Sequence, residues 1–398
     1  MSDSVKASLD SVQRWVEGHD YKGYDPGDGL TSYLRPLTCG NLLAERILQQ
    51  LIWKSPVNIR PLVGVAPLDS TKGRGFMAWG YLLAHQVFGE EELLHRAVTC
   101  LDWLDAHRET GYAGHCWGNH FDFTTRSGRM VAHTPTIVWS GLIGQAFIEA
   151  YEQTGEERWM EIAESICRWM LSLPRESTSN GICLSYTAVS QNSVHNANML
   201  GAGLLSRTWK HRPLDEYRRV AGEAVKYTCS RQARDGSWWY GEATKYHWID
   251  NFHTAYNLDS LKRYTDSTQD FSFRDSLARG YLYFKSVFFE PSGWPRYYHD
   301  RTNPADIQCA AQAIDTFALF AAEDVDALPM AERIALWTIE NMQDPKGYFY
   351  YRKFPMITAK TPYFHWGQGT MFKALAHLLL ARARLNREKQ VQPVSAAQ

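Results

Sequence analysis

An excess of charge of either sign is missing from this sequence. Its 398 residues include 42 Lys and Arg against 43 Asp and Glu, so the net charge at pH 7 is −1. Binding to nucleic acid or to an anionic membrane surface depends on clustered positive charge. Apolar runs long enough to span a bilayer are missing as well. We therefore expect neither a nucleic-acid partner nor a membrane span.

Paired cysteines are a second absence. The seven cysteines are odd in number, are scattered and include no CxxC pair, which is typical of reduced thiols rather than of a disulfide framework. The first residues show no basic segment followed by an apolar stretch, the pattern of a secretory signal. Together these features predict a cytoplasmic protein.

Common cofactor and nucleophile motifs are also missing. The chain has no Gly-rich phosphate loop, no dinucleotide fingerprint and no GxSxG nucleophile elbow. His115, Cys116, His120 and Asp122 are residue types that bind metals, but their spacing matches no zinc motif. We therefore predict that the protein uses no cofactor and holds no metal.

Aromatic residues, in contrast, are abundant. They make up 13% of the chain, and many stand beside glycines in segments with the composition of loops. Exposed indole and phenol rings offer surfaces on which sugar rings stack, although the same side chains also build cores and interfaces. The pattern indicates a carbohydrate ligand, with five tryptophans as candidate contacts: Trp117, Trp238, Trp239, Trp294 and Trp366.

The strongest positive signal is a six-fold internal repeat. Five of six strongly apolar helices are followed by a more amphipathic one, whose apolar residues recur every three or four positions. Residues 41–53 supply the sixth amphipathic helix. Near the start of the apolar helices, small residues recur at spacings of 61, 60, 54, 55 and 59: Gly80, Gly141, Gly201, Ala255, Ala310 and Gly369. The repeat predicts an all-α (α/α)6 toroid of six helical hairpins.

The order of these elements predicts where a site would lie. Each outer helix is followed by a short extended stretch rich in Gly and aromatics, which leads into the next inner helix. All inner helices then point the same way, and their N-termini share one rim, where unpaired N–H groups and positive dipole ends converge. We expect one domain over residues 1–398, with 1–39 as a peripheral segment and 387–398 as a flexible tail.

The arrangement over about residues 40–386 resembles the six-hairpin (α/α) glycosidase-like toroids. In detail it is similar to poorly characterised toroids encoded with bacterial exopolysaccharide synthesis genes, through CWGNHFDF, TPTIVWSG, VHNANMLGAGLL, RQARDGSWWYG, WIDNFHTAYNLDSLKRY and PADIQCAAQAI. The resemblance implies a toroid that acts on oligo- or polysaccharide linked to exopolysaccharide. Because such folds host hydrolases, lyases, epimerases and non-catalytic proteins, the function must be argued from the rim residues.

Two carboxylates at neighbouring inner-helix starts form the candidate catalytic pair. Asp250 and Asp306 occupy equivalent positions in the fourth and fifth repeats, within one residue of register, so both should face one cavity. Glycoside hydrolysis requires two such groups, one as the acid and one acting on water or on the anomeric carbon. Both residues also suit helix N-caps, a structural role that the sequence leaves open.

Other rim residues complete the predicted site. His253 lies three residues after Asp250, on the same face of the first helical turn, and would orient or tune an acid/base group. Tyr297 or Tyr298, the second of which is the preferred candidate, would exchange a proton if the reaction is that of a uronic-acid lyase or epimerase. Imidazoles and amides bind sugar hydroxyls or neutralise a uronate, and the candidates are His120, His195, Asn196, Asn198, His299 and Gln308.

Two further classes stay open. The string DNFHTAYNLDSL and residues 232–238 are also similar to motifs of isoprenoid-handling α/α toroids, whose transferases bind zinc through Asp, Cys and His. Asp306, Cys309 and His253 have that chemistry, but in reversed chain order, and the cyclase motif DxDD is missing. A non-catalytic glycan-binding accessory protein is the other alternative. We predict a glycoside hydrolase-like enzyme, and the oligomeric state is left open.

Overall fold

Six helices form a closed inner ring in the computed structural model, which describes residues 2–125 and 128–391. They are α3 (Thr71–Phe88), α5 (Ile137–Thr154), α7 (His195–His211), α9 (Asn251–Thr268), α11 (Ile307–Leu319) and α13 (Gly369–Val391). Each packs against the next in chain order, and α13 packs against α3, which closes the ring. The predicted (α/α)6 toroid is confirmed.

Close packing of the ring explains the repeated small residues. A Cβ atom added to Gly80 on α3 would lie 2.5 Å from Phe372 Cδ1 on α13. One added to Gly201 on α7 would lie 2.7 Å from Ile137 Cδ1 on α5. Well-packed interiors do not accommodate carbon atoms at such distances. Glycine at these positions therefore lets neighbouring inner helices approach closely.

An outer layer surrounds the ring. It consists of α4 (Glu91–Ala106), α6 (Glu157–Leu171), α8 (Asp215–Cys229), α10 (Arg274–Val287), α12 (Ala327–Met342) and α1 (Ser2–Gly18). Helix α1 packs against α12 and α13 and buries an apolar stripe, formed by Val5, Leu9, Val12 and Val16. Residues 2–18 thus belong to the outer layer, contrary to the expectation that 1–39 form a peripheral segment.

Short antiparallel strands join the elements around the rim. The two-stranded pairs are β1 (Lys22–Gly23) with β2 (Leu68–Asp69), β3 (Phe123–Thr125) with β4 (Gly128–Met130), and β5 (Arg175–Thr178) with β6 (Gly181–Leu184). A three-stranded sheet has the order β7 (Ala305–Asp306), β8 (Arg352–Lys353), β9 (Thr358–Ala359). Its register places Asp306 opposite Arg352.

The segment predicted as the sixth outer helix lies elsewhere. Helix α2 (Leu42–Lys54) packs against β3 at the rim, while α1 occupies the outer position. Its apolar Leu43 and Leu51 are 67% and 65% exposed, whereas Glu45 and Gln49 are buried. The prediction was wrong because α2 packs against the protein through a mixed face that includes Glu45, Gln49 and Ile52, and leaves most of its apolar stripe exposed.

The C-terminal end also differs from expectation. Helix α13 continues to Val391, so residues 387–391 extend a helix that was expected to give way to a flexible tail at 387. The rest of that predicted tail, 392–398, lies outside the described residues. Within the described ranges, no helix combines the length and apolarity needed to cross a membrane.

Candidate functional site

A cavity of about 360 Å³ opens where the inner helices begin. Side chains from the first turns of α3, α5, α7 and α9 line it, together with the π-helical turn Phe364–Gln368 that precedes α13, and α2 contributes one wall. The volume falls in the range of small-molecule sites, about 300–1,000 Å³. Ten of its 23 lining residues are Phe, Trp or Tyr: Trp53, Phe123, Trp139, Tyr186, Tyr240, Trp248, Phe252, Tyr256, Tyr297 and Trp366.

His253 lines the cavity from the first turn of α9. Asp250 is the N-cap of that helix, and its carboxylate accepts a hydrogen bond from the backbone N–H of His253 at 3.0 Å. The same carboxylate lies 2.7 Å from His253 Nδ1 and accepts from Trp248 Nε1 at 2.8 Å. Because an ionised carboxylate only accepts, Nδ1 carries the hydrogen. Nε2 is therefore the ring nitrogen left to act on a ligand.

His365 lines the same cavity from the π-helical turn. Its Nδ1 lies 2.7 Å from Oδ2 of Asp25, and its backbone N–H donates to Oδ1 of that aspartate at 2.9 Å. The side chains of His365 and Asp25 are 4% and 0% exposed. Single turns of π-helix are frequent at functional sites, where they re-aim side chains. The result is a second imidazole in close contact with a carboxylate, although Nδ1 and Oδ2 do not meet in hydrogen-bond geometry.

Burial sets the protonation of this second pair. It lowers the pKa of His365 from its ordinary 6.5, although Asp25 acts in the opposite direction. Burial acts to raise the pKa of Asp25, but His365 and His120 outweigh it and leave that pKa below 3.8. Burial also lowers the pKa of His120 to about 4. At neutral pH, His365 is therefore a neutral base beside an ionised carboxylate.

Two buried amides add polar groups to the cavity wall. Asn196, from the first turn of α7, and Asn119 both line the cavity. Their Oδ1 atoms are buried, and neither has a hydrogen-bond partner among the described residues. Buried acceptors are normally satisfied, so these two oxygens suit the hydroxyls of a bound sugar.

The predicted partner of Asp250 takes a different position. Asp306 is fully buried, caps α11 and is absent from the cavity lining. One carboxylate oxygen accepts from Arg352 Nε at 2.5 Å, and the other from Trp366 Nε1 at 2.8 Å and from the backbone N–H of Gln308 at 2.9 Å. Asp250 is also behind the lining. The structure thus places both carboxylates behind the cavity wall, held by neighbouring groups.

Several other predicted polar residues lie outside the cavity lining. His195 is buried and bonds to Glu242 at 2.8 Å, and Asn198 bonds to the backbone of β6 and α8. His299 contacts a backbone carbonyl, and Gln308 donates to the Tyr256 hydroxyl at 3.0 Å. Sequence position at a helix start did not separate these residues from Asn196, because only some side chains of a first turn point inward.

Tyr298 and the tryptophans divide in the same way. Tyr298 is absent from the lining, whereas its neighbour Tyr297 is part of it. Trp366 lines the cavity. Trp117 and Trp238 are core residues whose Nε1 atoms donate to helix carbonyls. Trp239 and Trp294 lie outside the lining. Trp239 stacks on a histidine, and Trp294 contacts a tryptophan.

Four residues at the cavity or directly behind it were not predicted from the sequence: His365, Asp25, Lys72 and Trp139. His365 stands at the inner-helix start equivalent to Asp306, so its position in the repeat was a usable signal. Lys72 and Trp139 stand near the starts of α3 and α5 and carried a weaker form of that signal. Asp25 gave none, because it lies before the repeat and meets His365 only in the folded chain.

The possible metal ligands are dispersed. His115 contacts Asp105 at 2.9 Å, and Asp122 pairs with Arg35 at 2.6 Å. Cys309 is buried, in α11. In the part of the chain that the structure describes, no three His, Cys, Asp or Glu side chains are grouped to hold a metal ion.

Comparison with known proteins locates the fold. No model of a known protein family and no curated protein matches the chain. Cellobiose 2-epimerase from Bacillus thermoamylovorans B4167 superposes with a TM-score of 0.63 at 11% identity, over 80% of this chain and 90% of that one. An unsaturated glucuronyl hydrolase specific for heparin gives 0.63 at 13%, over 97% of each chain. The GH76 α-mannanase of Bacteroides thetaiotaomicron gives 0.60 at 12%, over 81% and 88%. At identities this low, the superpositions show that the toroid fold is shared and nothing more.

Proposed function

We propose that this protein is a carbohydrate-active enzyme that epimerises or isomerises a sugar at the carbon next to its carbonyl group. The observation that carries the proposal is the placement of two imidazoles, His253 and His365, on one cavity, each with Nδ1 at a buried aspartate. The likeness of the fold to a cellobiose 2-epimerase supports the same class of reaction.

The chemistry needs a proton to leave and to return. A base removes the hydrogen from the carbon beside the carbonyl, which leaves an enediolate. Return of a proton to the opposite face of that carbon gives the epimer, and its return to the former carbonyl carbon gives the isomer. No other atom is gained or lost. Imidazoles suit both steps because their pKa values lie near the operating pH.

The two rings reach the cavity from different walls. His253 belongs to α9 and His365 to the turn before α13, and α11 stands between these helices in the ring. A sugar in the cavity would therefore meet the imidazoles from different directions. Asp250 and Asp25 orient the rings, and the aromatic lining offers stacking surfaces for the sugar.

Other reactions have less support from the geometry. Hydrolysis by Asp250 and Asp306 stays a prediction, but both carboxylates are occupied by neighbouring groups behind the lining. A uronic-acid lyase would use Tyr297 in place of Tyr298. A glycan-binding protein without activity would need no pair of oriented imidazoles.

The biological setting is proposed from the sequence. The resemblance to toroids encoded with exopolysaccharide genes favours a sugar or oligosaccharide unit of such a polymer as the substrate. The seven cysteines are all free thiols, which fits a cytoplasmic protein.

Hydrogen exchange in D2O tests the proposal directly. The protein is incubated with a panel of aldoses, ketoses and reducing disaccharides, and products are followed by NMR and mass spectrometry. We expect deuterium at the carbon beside the carbonyl and a new isomer. His253→Asn and His365→Asn should each slow isomer formation by about 100-fold or more. His211→Asn is the matched control, because His211 bonds to Glu152 at the other end of α7.

Two outcomes contradict the proposal. One is the absence of exchange with every sugar of the panel. The other is cleavage of an oligosaccharide into two fragments whose combined mass exceeds that of the substrate by one water, catalysed by both histidine variants and lost in Asp306→Asn, which would establish hydrolysis instead.

A further inference from the structure

The charge of the cavity wall is one-sided. Lys72 and Arg46 are among its lining residues, and no Asp or Glu belongs to the lining that the structure describes. Asp25 and Asp250 lie behind it, each in contact with an imidazole. A ligand in this cavity therefore meets two cationic side chains and no carboxylate in the described lining, and Asp25 attracts the Lys72 ammonium only from behind the wall, without an ion pair.

Lys72 is a buried lysine without a partner. Its side chain belongs to the first turn of α3, it is 5% exposed, and its ammonium lies 4.7 Å from the centre of the Trp139 ring. Among the described residues, nothing forms a hydrogen bond or an ion pair with this ammonium. Burial lowers the pKa of Lys72 to about 8. The group is therefore still mainly charged at neutral pH, at a cost in solvation that nothing nearby offsets fully.

The other two buried lysines show the contrast. Lys373 pairs with Asp315 at 2.7 Å, and Lys262 pairs with Asp266 at 3.0 Å and also with a glutamate. Buried charges in proteins are normally paired in this way. Among the residues whose burial the structure describes, the one buried lysine without an ion pair is thus the one that lines the cavity.

Arg46 adds a second free cation at the opening. It is exposed on α2, and in the described part of the chain it has neither a hydrogen bond nor an ion pair. The neighbouring Glu45 is not available to it, because that buried carboxylate contacts Arg35 at 3.4 Å and Arg129 at 2.8 Å. The guanidinium of Arg46 is therefore free to attract an anion towards Lys72.

We propose that the substrate is an acidic sugar, whose carboxylate or phosphate group pairs with Lys72 inside the cavity while Arg46 attracts it at the opening. That the bound sugar is a substrate rests on the proposed function, whereas the binding of an acidic sugar does not. A charge-assisted contact to an otherwise unpaired ammonium would supply most of the preference for acidic over neutral sugars.

Calorimetric titration of the whole protein tests the inference without turnover. The probes are glucuronate and galacturonate for a carboxylate, glucose 6-phosphate for a phosphate, and glucose and galactose as neutral counterparts. We expect an acidic sugar to bind at least about tenfold more tightly than its neutral counterpart in the wild type. That ratio should fall as NaCl is raised, because salt screens the attraction.

Substitutions then assign the preference to its residue. In Lys72→Met the ratio of the Kd values should fall to near one, and in Lys72→Arg, which keeps the charge, part of the preference should return. Arg46→Gln should mainly slow association. Lys210→Met is the matched control, because Lys210 is exposed on the last turn of α7, at the opposite end of the ring. Melting temperatures report whether each variant folds.

Two results would overturn the inference. The first is equal affinity of the wild type for acidic and neutral sugars. The second is a Lys72→Met variant that folds and keeps the wild-type ratio of Kd values, which includes the case in which both affinities fall together. Tight binding of an acidic sugar with no hydrogen exchange at its carbon atoms would overturn the proposed reaction and leave this inference standing.

Discussion

The two imidazole–carboxylate pairs of the cavity are assembled in different ways. Asp250 and His253 lie three residues apart in one helical turn, whereas 340 positions separate Asp25 from His365. The first pair follows from helix geometry alone. The second exists only when the N-terminal segment packs against the turn that precedes the last inner helix. One reaction site thus combines a local element with one that depends on closure of the whole chain.

The pairs also differ in exposure. The side chain of His253 is 20% exposed, and that of His365 is 4% exposed. Less water can replace a lost polar contact in the enclosed pair, so a substitution there costs more than the same change near solvent. With the proposed function, the same Asp→Asn substitution is therefore expected to lower kcat more in the enclosed pair than in the pair nearer to solvent.

The largest effect is expected for Asp25→Asn. The amide removes the negative charge in contact with His365, so the ring loses the group that positions it, and kcat for isomer formation should fall about 1,000-fold. The rate of deuterium incorporation measures this loss. Asp20→Asn, at an exposed position five residues earlier, is the control. A variant with the wild-type rate would show that the distant pair has no catalytic role.

A smaller loss, about 100-fold in kcat, is expected for Asp250→Asn. Asparagine still caps α9 and accepts from the backbone N–H of His253, so the helix start is kept. The same exchange assay provides the measurement, with circular dichroism to check the helix. A loss larger than that of Asp25→Asn would reverse the comparison between the two pairs.

Acid should destabilise the side of the cavity that holds Asp25. The pKa of His120 is about 4 in the folded protein against an ordinary 6.5, so the unfolded chain takes up the proton first. The contribution of neutral His120 to the free energy of unfolding is fully present above pH 6.5. It is lost as the pH falls, by about 2 kcal/mol between pH 6.5 and 5. In His120→Gln, the free energy of unfolding from urea titration should fall less steeply over this range. Parallel curves for the two proteins would refute the assignment.

The smallest effect is expected for a wall residue that belongs to neither pair. Asn196→Ala removes an unpaired, buried amide from the cavity lining, so KM should rise about tenfold while kcat changes little. Steady-state kinetics separate the two constants, and Asn180→Ala on an exposed turn is the control. A fall in kcat with unchanged KM would instead place Asn196 in the reaction itself.

Helices α1 and α2 show why part of the architecture was not predictable. Both carry apolar residues at helical spacing, and both precede the repeat. In α1 the stripe that includes Leu9 and Val12 is buried, whereas in α2 Leu43 and Leu51 are exposed. Periodicity indicates that a face is apolar but not what covers it. The choice between them depended on Glu45 and Gln49, which bond to rim groups distant in sequence.

The sequence could not distinguish the surroundings of two equivalent carboxylates, for a related reason. Asp250 and Asp306 both cap inner helices, as their sequence positions indicated. The β7–β8 register then places Arg352 against Asp306, while Asp250 contacts a histidine that reaches the cavity. An N-cap position determines the backbone contacts of a side chain but not its distant partners.

The sequence by itself determined the ring, its repeat length and the Asp250–His253 pair, because these follow from helical periodicity, small residues at contact points and contacts within one turn. The tertiary structure alone decided which first-turn side chains face the cavity, and it brought Asp25 to His365 and left Lys72 without a carboxylate. These features depend on contacts between segments that are far apart in the chain. The spacing of residues within one segment does not specify such contacts.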